Sequence, residues 1–147
     1  MTGDAPDADL FRMTVSEYAR HPANGRLHEG ATGQATAANT SCGDSVALRV
    51  TVAHAVVTQV SYDARGCAIC SAAAALLCEY VAGRSLAEVE SLPDRFAVAV
   101  RQAQSAPWPT ELETFAVFGV LRDNPARRRC ATLAFEALHG ALENDRA

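Results

Sequence analysis

The sequence contains no lysine, so arginine supplies all 13 of its basic side chains, against 17 acidic residues. The formal net charge is −4 at pH 7. Such a chain has no broad cationic face that could release counterions from a nucleic-acid backbone. We therefore expect no nucleic-acid partner.

The sequence also lacks long apolar runs and an export signal. Its longest apolar stretch lies around residues 72–77 and is far shorter than the roughly 20 residues that span a bilayer. Residues 1–9 are acidic and small, whereas a signal peptide begins with basic residues followed by an apolar segment. We expect a cytoplasmic protein with no membrane partner.

Length and composition favour one globular unit. Of the 147 residues, 49% are apolar and 20% are charged, which is sufficient for a chain of this size to bury its own core. We expect a single domain over residues 1–147, with flexible ends at 1–8 and 144–147.

The centre of the sequence predicts a three-stranded antiparallel sheet. Apolar residues alternate with small or polar ones over 46–52, and a similar run follows over 56–62. This period of two is typical of a half-buried strand. The short link between the two runs predicts a hairpin, and a weaker strand over 34–40 completes a meander.

About five to six helices are expected to pack against this sheet, which gives an α+β fold. The alanine-rich stretch from Cys67 to Val81 predicts a helix that stops at Gly83. Apolar periodicity, cap residues and proline breaks predict further helices at 10–20, 85–91, 94–104, 110–120 and 130–142.

Five cysteines carry the candidate chemistry. In a reducing compartment, this number favours metal binding or redox chemistry over a disulfide framework. Cys42 and Asp44 share a glycine turn between the first two predicted strands. Cys67 and Cys130 begin predicted helices, where backbone N–H groups and the helix dipole favour thiolates. Together these four residues make a credible tetrahedral metal site, although their spacing is not that of a zinc finger.

Each cysteine taken alone is equally consistent with a core position, since free cysteine is among the most buried residue types. Cys78 lies within an apolar helical stretch and is assigned to the core. Cys70 lies one turn after Cys67, where it either contacts the site or packs beneath it.

The charge of such a site requires compensation. Three thiolates and one carboxylate leave a negative excess around Zn²⁺ that a buried site cannot hold alone. Arg127 and Arg129 flank Cys130 and are candidates to compensate it, although the same run could be a solvated helix start. Without metal, we expect the thiols to keep their protons because adjacent anions repel one another.

Three separated motifs resemble the SufU/IscU/NifU-N iron–sulfur cluster assembly family. They are residues 39–44 (NTSCGD), 66–69 (GCAI) and 125–135 (PARRRCATLAF). Residues 21–24 (HPAN) are also similar to a family segment, and the resemblance extends from about residue 10 to residue 142.

Two features are similar to the SufU branch. Scaffold-type IscU proteins carry a histidine just before the third cysteine, whereas this sequence has Arg129. The long segment between Cys67 and Cys130 also resembles the insertion of SufU-like proteins. Cys70 departs from the family pattern, which usually has serine or another small residue at that position.

The resemblance implies a zinc-dependent sulfur acceptor. In SufU-like proteins, the positions that match Cys42, Asp44, Cys67 and Cys130 bind zinc, and the cysteine at the Cys42 position leaves the metal to accept sulfur from a cysteine desulfurase. The implied partners are a SufS-like desulfurase and later iron–sulfur assembly proteins. Cys42 is the expected acceptor because it lies in a turn, while the other two thiols are anchored on helices.

Three alternatives stay open. The same ligands could carry a labile [2Fe–2S] cluster on an assembly scaffold. A dithiol oxidoreductase could use Cys67 and Cys70 as a CxxC motif, although the strands read as a meander rather than a βαβ unit. A purely structural zinc site is the third, but a carboxylate ligand in an exposed turn favours a site that opens.

Overall fold

The computed structural model of the chain describes residues 4–145, with side chains from residue 8 onward. In chain order the elements are α1 (Asp4–Tyr18), β1 (Gly33–Asn39), β2 (Asp44–Ala53), β3 (Val56–Arg65), α2 (Ala68–Val81), α3 (Leu86–Arg101), a 3-10 helix (Thr110–Leu121) and α4 (Pro125–Asp145). The predicted α+β class, with three strands and five to six helices, is confirmed.

The sheet is an antiparallel meander of order β1-β2-β3, as the alternating pattern predicts. Val46, Leu48 and Val50 on β2 are completely buried because alternate side chains of a strand face the same side. His54 and Ala55 connect β2 to β3 with φ values of 52° and 62°. Two successive positive φ values are typical of a tight hairpin whose turn matches the strand twist.

Helix α2 is central to the fold and nearly all of its residues are buried. It packs against β3, α1 and α4, while α4 covers β1 and β2. A helix that is apolar on all sides requires neighbours on all sides. Among the described residues, no helix combines the length and the apolar character needed to cross a membrane. The packing of α2 and α4 on the sheet fixes the start of each helix relative to β2.

The prediction of two helices separated at Leu92-Pro93 is wrong, because the structure has one helix there, α3. It runs without interruption from Leu86 to Arg101 with Pro93 inside it. A proline in a helix removes one hydrogen bond and crowds the preceding turn. Burial of a continuous apolar face compensates for this, and that face consists of Val89, Leu92, Phe96, Ala99 and Val100.

Helix α4 begins at Pro125, five residues before the predicted start at Cys130. The side-chain oxygen of Asn124 accepts a hydrogen bond from the backbone N–H of Arg127 at 3.2 Å. Asparagine as the cap followed by proline at the first helical position is a strong start signal. Cys130 therefore lies in the second turn of α4 and not at its positive end.

The predicted flexible ends at 1–8 and 144–147 stay a prediction. Residues 1–3 and 146–147 lie outside the described residues, whereas residues 4–8 belong to α1 and 144–145 to α4. Helix α1 also begins before the predicted start at residue 10 and ends at Tyr18. The single-domain organisation stays a prediction.

Arg122 is a buried cation whose hydrogen bonds connect α3 to the segment after it. The residue is 6% exposed, and its Nε donates to the carbonyl of Ala99 at 3.1 Å. Its Nη1 donates to the carbonyls of Ala103 and Ala106 at 3.1 Å and 2.6 Å. Its guanidinium carbon lies 5.2 Å from the centroid of the Trp108 ring. These bonds connect the guanidinium to a carbonyl in the last turn of α3 and to two carbonyls of the segment that follows it.

Candidate metal centre

The residues predicted as metal ligands meet at the end of the sheet where β2 begins. Oδ2 of Asp44 lies 3.3 Å from the sulfur of Cys42, 3.4 Å from that of Cys67 and 3.3 Å from that of Cys130. The ligand atoms of Cys42, Asp44 and Cys130 all lie within 4.8 Å of one another. The fold therefore brings all four residues around one carboxylate oxygen.

Asp44 is positioned by the first turn of the sheet. It is the first residue of β2 and pairs with Asn39, the last residue of β1. The side chain is 3% exposed, and its Oδ1 accepts a hydrogen bond from the backbone N–H of Cys67 at 2.9 Å. One carboxylate thus connects the sheet to the start of α2 and to three thiols.

Cys42 lies in the turn that connects β1 to β2. The carbonyl of Asn39 accepts hydrogen bonds from the backbone N–H groups of Cys42 and Gly43 at 3.3 Å and 2.9 Å. The side chain of Asn39 accepts a further bond from Ser41 at 3.2 Å. Of the site's three cysteines, Cys42 is exposed, Cys67 is half-buried and Cys130 is buried. Cys42 is therefore the thiol that solvent and a second protein reach most easily.

The helices present the other two thiols in different ways. Cys67 is the N-cap residue of α2, as the sequence predicts. Cys130 lies inside α4, and its sulfur lies 3.8 Å from the carbonyl of Ala126 one turn earlier. The expectation that Cys130 faces free N–H groups at a helix start is wrong because α4 begins at Pro125.

The pKa values of Asp44 and Cys130 are shifted in opposite directions. Burial opposes the charged form of Asp44, but hydrogen bonds from the Cys67 backbone and from the three thiols hold the pKa of its carboxyl below the usual value. Burial, hydrogen bonds with Cys67 and Asp44, and the charges of these two groups raise the pKa of the Cys130 thiol. These shifts favour Asp44 as the anion and Cys130 as a protonated thiol.

Arg127 and Arg129, the two arginines beside Cys130, are the candidates to compensate the charge of the site. The Arg129 guanidinium forms an ion pair with Glu136, and Arg127 is exposed. Among residues 4–145, neither guanidinium hydrogen-bonds to a ligand atom of the cluster. Compensation of the site's charge by these arginines stays a prediction, and the positions fit a solvated helix start.

Cys70 and Cys78 lie in the interior of the protein. Cys70 is completely buried beneath the site, where its sulfur lies 4.0 Å from the carbonyl of Ser45. Burial and then the charges of Asp44, Cys67 and Cys42 raise its pKa to about 12. Cys78 is 8% exposed and belongs to the core, as the sequence predicts.

The donor set fits a zinc ion. Tetrahedral zinc has bond lengths of about 2.3 Å to sulfur and about 2.0 Å to carboxylate oxygen, which places sulfur and oxygen about 3.5 Å apart. The sulfur-to-oxygen distances around Asp44 Oδ2 are 3.3–3.4 Å. Cys42, Asp44 and Cys130 form a group with mutually close ligand atoms, and the sulfur of Cys67, which is close to Oδ2 of Asp44, would have to move towards that group to complete a four-ligand zinc site.

The sequence is similar to those of known proteins. The family described as "NifU-like N terminal domain" matches residues 10–107. The chain is 29% identical over 139 residues to the iron–sulfur cluster assembly scaffold protein IscU of Thermotoga maritima, covering 91% of this chain and 96% of that protein. It is 24% identical over 137 residues to the zinc-dependent sulfurtransferase SufU of Bacillus subtilis, covering 92% and 91% of the two chains.

The fold is shared with solved structures. The N-terminal part of a nitrogen-fixing NifU-like protein from Brucella abortus superposes with a TM-score of 0.79 at 20% identity, covering 94% of this chain and 95% of that one. The sequence matches place the protein among those of iron–sulfur cluster assembly. Within that class, the chain belongs to the NifU-like N-terminal domain family.

Proposed function

We propose that this protein is a zinc-dependent sulfur acceptor that receives persulfide sulfur from a SufS-like cysteine desulfurase in the cytoplasm. The observation that carries the proposal is the convergence of three thiols on Asp44, of which Cys42 alone is exposed. A site of this kind combines a place to hold a cation with one thiol that a large donor can approach.

Cys42, Asp44, Cys67 and Cys130 would hold the zinc. When bound, zinc supplies a redox-inert positive charge that stabilises its ligands as thiolates. In the structure, Oδ2 of Asp44 accepts hydrogen bonds from the three thiols, so each of these thiols carries a proton that a thiolate ligand would lose. Metal binding must therefore release thiol protons.

Sulfur transfer to Cys42 is a thiol–disulfide type of exchange. The Cys42 thiolate attacks the outer sulfur of the donor's cysteine persulfide, and a new S–S bond forms. The S–S bond within the donor breaks, and the donor cysteine leaves as a thiolate that takes up a proton. The transferred sulfur keeps its oxidation state, so the step needs no external oxidant or reductant.

The geometry favours Cys42 over the other two thiols as acceptor. Its sulfur lies in a four-residue turn outside the strands, whereas Cys67 caps α2 and Cys130 lies within α4. Movement of the turn changes few packed contacts, but movement of either helix disturbs the core. Cys67 and Cys130 are therefore the ligands that keep their positions.

A cluster scaffold is the second candidate function. The relatives named as IscU scaffolds, from Thermotoga maritima and Streptococcus pyogenes, are 29% and 28% identical to this chain, against 24% for the zinc-dependent SufU. Arg129 in place of a histidine supports the zinc-dependent branch. The absorption spectrum of the isolated protein separates the candidates, because a zinc protein is colourless and a [2Fe–2S] scaffold is brown.

The dithiol oxidoreductase has less support. Cys70, the second cysteine of its CxxC motif, is completely buried, and the sulfur of Cys67 contacts Asp44. Within the described part of the chain, the three strands form an antiparallel meander rather than the βαβ unit of such enzymes.

The test compares Cys42→Ala with Cys78→Ala, a change of the same size in a core thiol. Each protein is incubated with a cysteine desulfurase and L-cysteine, and the intact mass is measured. We expect the wild type and Cys78→Ala to gain one sulfur atom and Cys42→Ala to gain none. If folded Cys42→Ala, checked by circular dichroism, accepts sulfur at the wild-type rate, the proposal is wrong.

A further inference from the structure

Gly66 lies directly against the side chain of Asp44. The residue follows the end of β3 and precedes Cys67, whose backbone N–H donates to Oδ1 of Asp44 at 2.9 Å. A Cβ atom added to Gly66 would lie 2.8 Å from Cγ and 2.9 Å from Cα of Asp44, and it would overlap Oδ1. Real Cβ atoms essentially never approach other heavy atoms closer than 3.0 Å. Any other residue at position 66 must therefore displace the carboxylate, which it overlaps most, and also crowds the Cα atom of Asp44.

The displaced group is the centre of the cluster. Oδ2 of the same carboxylate accepts hydrogen bonds from all three thiols. Asp44 is also fixed at its backbone, because it pairs with Asn39 in the sheet. The severest overlap is with Oδ1, so a Cβ atom at position 66 forces the carboxylate to rotate, with a smaller shift at the Cα of Asp44. Rotation of the carboxylate moves Oδ2 away from the thiols.

We infer that Gly66 is a positioning residue of the metal site: its missing side chain provides the space in which the Asp44 carboxylate reaches Cys42, Cys67 and Cys130. The inference rests on the metal-ligand role of Asp44 in the proposed function. Gly66 acts through Asp44 and makes no bond to the metal. The glycine permits the carboxylate of residue 44 to occupy this place, since a larger residue at position 66 would overlap Oδ1.

Backbone conformation is a second reason for glycine at this position, and a control separates the two. Gly66 has φ of +127° and Gly83, beyond the other end of α2, has φ of +87°. A Cβ atom added to Gly83 meets nothing within 4 Å. Gly83→Ala therefore introduces backbone strain alone, whereas Gly66→Ala introduces strain and the contact with Asp44.

The experiment measures Zn²⁺ affinity by competition with a chromophoric chelator for the wild type, Gly66→Ala, Gly83→Ala, Asp44→Ala and the double variant Gly66→Ala/Asp44→Ala. We expect Gly66→Ala to bind Zn²⁺ about 10- to 100-fold more weakly, as is typical when a residue that orients a ligand is lost. Gly83→Ala should lower thermal stability and keep the wild-type affinity. In the Asp44→Ala background, Gly66→Ala should have a much smaller effect, because the carboxylate that it displaces is absent.

The absorption spectrum of the Co²⁺-loaded proteins gives an independent reading of the ligands. In Gly66→Ala, the thiolate-to-cobalt bands should persist while the ligand-field bands change towards those of Asp44→Ala. Equal losses of affinity from Gly66→Ala in both backgrounds would overturn the inference, as would wild-type affinity in Gly66→Ala.

The remaining outcomes are also decisive. If Gly66→Ala does not fold but Gly66→Ala/Asp44→Ala does, the clash with the carboxylate is supported. If both fail to fold, glycine is required for the backbone alone and the inference is wrong. If Asp44→Ala itself keeps the wild-type affinity, the ligand assignment of the proposed function fails instead.

Discussion

The sulfur of Cys130 lies 3.3 Å from Oδ2 of Asp44, although 86 positions separate the two residues in the sequence. Helix α4 packs along β1 and β2, so its second turn faces the first residue of β2. The contact depends on this packing and on the turn that starts β2. The site therefore connects three segments of the chain that are distant in the sequence.

Replacement of the Asp44 carboxylate should weaken metal binding before it changes the fold. Asp44→Asn keeps the shape of the side chain but removes its charge, so Zn²⁺ affinity should fall by at least about tenfold. Chelator competition measures the affinity. Asp63→Asn is the matched control, because Asp63 lies on the neighbouring strand and pairs with exposed Arg65. Equal affinities for the wild type and Asp44→Asn would exclude Asp44 as a ligand.

Removal of the metal should lower stability and leave the protein folded. The ion would join the β1–β2 turn to α2 and α4, and a ligand at about 1,000 times its dissociation constant adds about 4 kcal/mol. We expect a strong chelator to lower the thermal midpoint by roughly 10 °C, and added Zn²⁺ to restore it. The buried core, which includes Phe96, Phe115 and Phe135, keeps the metal-free chain folded. Complete loss of helical circular dichroism on chelation would contradict this expectation.

The buried thiol of Cys78 should make the protein less stable in alkali. Burial raises its pKa from 9.0 to about 12, so the folded state favours the neutral thiol. The resulting stability is complete below pH 9 and decreases as the pH rises towards 12, by roughly 2–3 kcal/mol at pH 11.

Urea unfolding of the wild type and Cys78→Ala at several pH values measures this effect. The charge of Cys78 also contributes to the raised pKa of Tyr62, so the difference between the two proteins reports Cys78 together with its effect on Tyr62. The free energy of unfolding should decrease less steeply with pH in Cys78→Ala. Parallel pH profiles would show that Cys78 does not titrate differently in the folded and unfolded states.

Loss of the Arg122 guanidinium should destabilise the fold without affecting the metal site. Arg122→Met removes the guanidinium hydrogen bonds to the carbonyls of Ala99, Ala103 and Ala106, which should cost about 2–4 kcal/mol. Arg95→Met is the control, because the ion pair of Arg95 with Glu111 is exposed and such pairs contribute about 1 kcal/mol or less. Urea unfolding measures both variants. Similar losses in the two would show that the buried hydrogen bonds add little.

The sequence predicts the parts of the fold that depend on local pattern. Alternation over 46–52 identifies β2, and the alanine-rich run identifies α2 with Cys67 at its start. It does not predict that α3 continues through Pro93, because the compensating face is formed by contacts with other elements. The earlier start of α4 was available from Asn124 followed by Pro125, a recognisable cap signal.

The candidate site, like the fold, could be predicted from the sequence only in part. The residue types and motifs around positions 42, 44, 67 and 130 are sufficient to nominate the ligands, since thiols and carboxylates have few other joint uses in a reducing compartment.

By itself, the amino-acid sequence determined the class of fold, the family resemblance and the four candidate ligands, because these follow from periodicity and residue chemistry. Only the tertiary structure decided that Asp44 is the common partner of the three thiols, that Cys42 alone among them is exposed, and that Gly66 makes room for the carboxylate. Such relationships depend on how separate segments pack, and packing distances between segments are not encoded in any local pattern.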